Sequence, residues 1–140
     1  MTQFDLSRFS SAQSDMFETA LAEIRAGQKR SHWIWFVFPQ IAGFGTSSTA
    51  NHFAIRTLEE ARAYIHDSVL GMRYLEAVET LQGLPGGTAE GVLGGVDAMK
   101  LRSSLTLFEA AGGGEVIAAA IERWFGGVRD TRTLALISGG

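Results

Sequence analysis

The chain has 140 residues, of which 46% are hydrophobic and 19% charged, a net charge of −3, and no cysteine. That length buries a core without staples, and the modest charge excludes a disordered chain. The lack of a basic stripe argues against general nucleic-acid binding, and the lack of cysteine excludes disulfides, thiolate catalysis and cysteine-ligated zinc.

The first element is a helix over residues 5–26. Phe9, Met16, Phe17, Ala20, Leu21 and Ile24 recur at helical spacing. Asp5 is placed to cap it and Gly27 to end it; Ser10-Ser11 and Ser14-Asp15 offer a second capping point, which leaves a break into two helices open. Residues 33–38, WIWFVF, suit either a buried strand or a short buried helix stopped by Pro39. Periodicity does not separate the two over so short a run. A lone strand has no partner for its backbone, so the helical surroundings favour helix. Residues 41–56 read as a glycine- and hydroxyl-rich loop. Thr57 and Glu60 form a capping box opening a helix to about His66. Another helix covers about 68–82, with Leu70, Tyr74, Ala77, Val78 and Leu81 on one stripe. A weakly helical piece, 88–95, follows the break at 83–87. Asp97 is then placed to cap a helix over 98–111, and a further helix runs over 115–125. Asp130 can cap a last turn through Leu134 and Ile137. No segment alternates as a half-buried strand does. The expected fold is all-α: one compact domain over 1–140 built from about six to eight short helices. The N-terminus lacks a signal-peptide pattern, and no apolar run approaches the ~20 residues that span a membrane, so we expect a cytoplasmic location.

Chemistry has few places to reside. Lys29-Arg30-Ser31-His32 runs into Trp33 and Trp35, so cations and an imidazole adjoin aromatic faces that stack on planar groups. With large apolar neighbours, His32 is expected to be partly buried and hydrogen-bonded. Lys100, Arg102, Ser103 and Ser104 lie on the helix over 98–111, with both cations on the rim of its buried stripe. Pro39-Gln40 and the Gly43–Thr49 loop could cap a ligand, yet no GxxxxGK[ST] or GxGxxG is present. His32, His52 and His66 lack HExxH spacing, and there is no GxSxG. No metal is expected, no cofactor is indicated and no catalytic residue is assigned.

The blocks QKRSHWIWFVFPQ (28–40), FAIRTLEEARAY (53–64), VLG (69–71) and MKLRSSLTLF (99–108) resemble the domain-of-unknown-function 1810 family over about residues 4–137. The resemblance continues through Trp124–Gly127 and Arg132–Leu136. It implies a mainly helical fold and no established activity. It carries His32, Trp33, Trp35, Pro39, Gln40, Lys100, Arg102, Ser103 and Ser104 as motif positions, with Phe53 where a tyrosine is usual. Members are often labelled calpastatin; a disordered inhibitor needs low hydrophobicity and high charge, and this chain has neither.

Three readings follow. In the first, His32, Trp33, Gln40, Lys100, Arg102, Ser103 and Ser104 converge on a cleft for a small anionic, nucleotide-like ligand such as ADP-ribose. In the second, the aromatic residues anchor a protein partner of unknown identity. In the third, both motifs form a buried polar network that fixes the helices. Nucleic acid and membrane are not expected partners. For the first reading, two cations facing one cleft need a counter-charge between them.

Overall fold

The computed structural model describes residues 4–138. These form nine helices: α1 (Ser7–Arg25), α2 (Ile34–Val37), α3 (Ser48–Phe53), α4 (Leu58–His66), α5 (Leu70–Gln82), α6 (Ala89–Leu93), α7 (Gly95–Ala110), α8 (Glu115–Phe125) and α9 (Thr131–Ser138). No strand is present among the described residues; the one β-like feature is an isolated parallel bridge between Ile41 and Ile55. The all-α expectation holds, and the count exceeds the expected six to eight by one helix.

The additional helix is α3, inside the segment expected to be loop. Ser47 caps it by accepting from the Ala50 amide at 3.0 Å. Ala50 is the one buried residue of its six, so no apolar period announces it. The neck of this excursion is closed by two backbone bonds, Ala42 N–H to Ile55 C=O at 2.7 Å and Ile55 N–H to Gln40 C=O at 2.9 Å. The aromatic run 33–38 resolves as helix, but a single turn, ending where Phe38 leaves helical geometry before Pro39.

Helix α1 is continuous through both serine pairs. Asp5 accepts from the Ser7 amide at 3.0 Å just ahead of it. Thr57 and Asp130 act at the starts of α4 and α9 as expected, taking the amides of Glu60 and Thr133 at 3.1 and 2.8 Å. Asp97 does not cap. Gly94, with φ +88°, begins α7, and Asp97 lies in the first turn, where its carboxylate meets two lysines instead.

Helix α7 is the axis of packing, lying against α4, α6, α8 and α9. Its run from Ser103 to Phe108 is buried on every face. A helix buried all round must satisfy its polar groups internally. Ser104 does so with the Tyr74 hydroxyl at 3.0 Å, and Ser103 with Thr133 at 2.7 Å. Thr106 donates to the Arg102 carbonyl at 2.8 Å and accepts from the Asp130 amide at 2.9 Å. Beside it Tyr64, Tyr74 and Phe108 pack together, with Tyr74 and Phe108 centroids 4.5 Å apart. Gln13 of α1 joins this centre, donating to the Phe36 carbonyl at 2.7 Å and the Tyr64 hydroxyl at 2.9 Å. Burial pushes both phenols well above their ordinary range, so neither serves as a base near neutral pH.

Candidate functional site

The segment joining α1 to α2 is moored by one carboxylate. Glu23 Oε1 accepts from the Arg30 amide at 2.8 Å, the Ser31 amide at 2.9 Å and the Trp33 indole N–H at 2.9 Å, while Oε2 accepts from the Ser31 hydroxyl at 2.6 Å. Desolvation alone would raise this carboxyl. The bonds from the Ser31 hydroxyl, the two amides and the indole outweigh it and bring the pKa down from 4.5 to about 2. A carboxylate whose pKa is lower folded than unfolded contributes stability that is present above its unfolded value and lost as pH falls through its folded one. The melting-temperature gap between wild type and Glu23→Gln should therefore be constant above about pH 5 and close between about pH 4.5 and 2. A gap that stays the same from pH 7 to 2 would contradict this role.

Holding Ser31 and Trp33 to Glu23 turns the residue between them outward. His32 is exposed, contrary to the expected partial burial. Trp33 is fully buried, with its ring against Phe38. Trp35 is only partly buried.

Lys29 and Lys100 come together from sequence-distant motifs. Lys29 Nζ is 2.7 Å from Asp97 Oδ2, and Lys100 Nζ is 3.2 Å from Oδ1. Each ammonium also stands over an indole, Lys29 at 5.3 Å from the Trp33 centroid and Lys100 at 4.0 Å from that of Trp35. The lysine side chains are 8% and 15% exposed. Asp97 is the one carboxylate within ion-pair distance of either among the described residues. Two largely desolvated cations thus share one anion, which leaves a positive charge uncompensated.

Trp35 also walls a closed slot without free room for a water molecule, lined with Gln40, Ile41, Phe44, Gly45 and Phe53. The two motifs meet at this indole rather than across an open cleft. Gln40 is buried, its Nε2 donates to the Phe38 carbonyl, and its Oε1 has no partner. A buried acceptor left unpaired costs about 1–3 kcal/mol.

The remaining expected site residues lie elsewhere. The Arg102 guanidinium stands 5.9 Å from the Phe125 centroid, on α8. Glu109, on the same helix, pairs with Arg129 at 2.6 Å. Ser103 and Ser104 are engaged in the core hydroxyl pairs. Of the seven expected residues, the structure gathers Trp33, Gln40 and Lys100 around the α1–α2 segment and Trp35.

Set beside known proteins, residues 3–137 match the model of a family described as a protein of unknown function, DUF1810. The chain belongs to this family. A conserved hypothetical protein, Rv1873 of Mycobacterium tuberculosis, with a crystal structure at 1.38 Å, is 41% identical; the match covers 96% of this chain and 97% of that one, with a TM-score of 0.94. No curated protein matches. Phe53, where the DUF1810 resemblance implies a tyrosine, lies on the wall of the slot.

Glu23, Lys29 and Asp97 complete the arrangement. Glu23 bears no local signature in sequence, being one more carboxylate on a long helix. Lys29 stood out only as part of a basic trio. Asp97 sits where a cap is expected, and only its long-range partner decides its role.

Proposed function

We propose that this DUF1810 protein binds a small anionic, nucleotide-like ligand, with the anion at Lys29 and Lys100 and its planar part along Trp35. The observation that carries this reading is the sharing of Asp97 by two largely buried lysines. An anionic group beside them supplies the missing counter-charge in a partly desolvated setting, where charge pairing is stronger than in water. ADP-ribose is a ligand of this class. Among the described residues no helix is long and apolar enough to cross a membrane.

Wider grooves are less suited to an anion. That between Phe17, Val69 and Met72, about 330 Å³, carries Glu18 and Glu76 beside Arg73. Another of about 690 Å³, beside Leu84–Thr88, has Arg25 as its one charged lining residue. At a third, Arg8 is already engaged by the carbonyls of Asp5, His52 and Ala54 and by Glu60.

A thermal-shift titration with inorganic pyrophosphate and with ADP-ribose tests the reading. Wild type should gain stability as ligand rises, about 2.7 kcal/mol at a hundredfold excess over Kd. Lys100→Ala should abolish the gain while leaving unliganded stability little changed, because Asp97 keeps Lys29 and the repulsion between the two ammonium groups is relieved. Arg102→Ala should keep the gain, since its guanidinium faces Phe125. No gain in wild type, with marked destabilisation by Lys100→Ala, would make the lysine pair structural.

A further inference from the structure

We infer that the slot between Trp35 and the Gly43–Gly45 segment is a subsite for a planar ring bearing an exocyclic amine, which donates its N–H to Gln40 Oε1. The inference rests on the proposed anion site only in placing ring and anion on one ligand.

The acceptor is held ready. Gln40 is 3% exposed, and its orientation is set because Nε2 donates to the Phe38 carbonyl, leaving Oε1 as the unpartnered end. Its backbone is fixed by its carbonyl's bond from Ile55 N–H at 2.9 Å. A buried acceptor with nothing to accept from selects a donor. The walls that stay in place select its shape: Trp35 and Phe53 present aromatic surface, which favours a flat ring over a compact polar group. Trp35 is common to this slot and to the Lys100 contact, so a ring in one places an attached anion towards the other.

The slot is closed by the segment that would have to lift. Gly45 lies against Trp35: a Cβ there would be 3.1 Å from Trp35 Cη2 and 3.0 Å from Ala50 Cβ. Gly43, with φ +96°, is held by helix α9 through the Arg132 guanidinium on its carbonyl at 2.5 Å and the Leu136 side chain, 3.3 Å from where a Cβ would lie. The Ala42 amide, bonded to the Ile55 carbonyl at 2.7 Å, and the Ser47 cap bound the part that has to move, residues 43–46, which must release the Phe44 amide from the Ile41 carbonyl and the Gly43 carbonyl from Arg132. Admission of the ring therefore lifts residues 43–46 and leaves Gln40 in place.

The test compares adenosine with purine riboside, which lacks the exocyclic amine, and uses inorganic pyrophosphate for the anion half. Binding to wild type and Gln40→Met is measured by calorimetry. Adenosine should bind wild type at least about tenfold more tightly than purine riboside, the effect of one buried hydrogen bond. That preference should vanish in Gln40→Met, whose pyrophosphate affinity should be unchanged. Equal affinity of the two nucleosides for wild type, or no binding of adenosine, overturns the inference without needing the variant to fold. Pyrophosphate binding without an amine preference leaves the anion site standing and removes the ring subsite. An amine preference without pyrophosphate binding does the reverse.

Discussion

Replacing Trp33 with alanine should cost about 3–5 kcal/mol in urea unfolding, and replacing Trp35 no more than about 2 kcal/mol. The two residues are two apart in one aromatic run, and sequence reasoning expects both in the core. Their environments differ. Trp33 has no exposed surface, packs on Phe38 and donates its indole N–H to Glu23. Its removal leaves a large cavity and takes a donor from a carboxylate that already holds three other hydrogen bonds. Trp35 keeps part of its surface in solvent and makes its notable contact with the Lys100 ammonium. Equal losses at the two positions would show that Trp35 belongs to the core and would remove the aromatic face from the ligand site.

Gly71→Ala should destabilise by at least about 3 kcal/mol or prevent folding, the result of forcing an atom into a packed backbone contact. The cause is proximity rather than backbone freedom. Gly71 opens α5 directly against the end of α4, and a Cβ built there falls 2.1 Å from the Ile65 carbonyl oxygen. No rotamer change relieves a clash with backbone, so the two helices must move apart. Tyr64 and Tyr74, one on each helix, would then lose their 6.3 Å edge-on packing at the core's centre. This also gives the VLG block its physical content: Leu70 is buried and Gly71 permits the close approach. Native-like melting of Gly71→Ala would mean that α4 and α5 are less closely joined than described.

Most of the fold was legible because its helices announce themselves twice, by an apolar stripe and by a terminus. In α5 the stripe of Leu70, Tyr74, Ala77, Val78 and Leu81 is buried as the spacing predicts. Helix α8 ends at Gly126 in the left-handed conformation that glycine accepts cheaply. Helix α3 had a capping serine but no stripe. The site was legible only in pieces. Lys100 and Gln40 stand out as polar residues inside apolar motifs, and both border Trp35. Arg102 has the same signature, but which aromatic ring lies over that rim depends on how α7 and α8 pack, and no local pattern encodes that. Ser103 and Ser104 are polar for a structural reason, since a helix buried on all sides still needs its hydroxyls paired. His32 departs from the burial its sequence neighbours suggest because its direction is set from elsewhere: the outward turn comes from Glu23, nine residues earlier on another element.

The central claim is that an anion settles at the lysine pair beside Trp35. The most direct measurement is a nitrogen-15 nuclear magnetic resonance titration with inorganic pyrophosphate, following backbone amides and the three indole N–H signals. Saturable shifts are predicted at the Trp35 indole and at the amides of Lys29, Asp97 and Lys100. The Trp124 indole, bonded to Gln82 at 2.9 Å, and the amides around Arg102 and Phe125 should stay still. Pyrophosphate that moves no signal near Trp35, or moves those around Arg102 and Phe125 instead, would contradict the account.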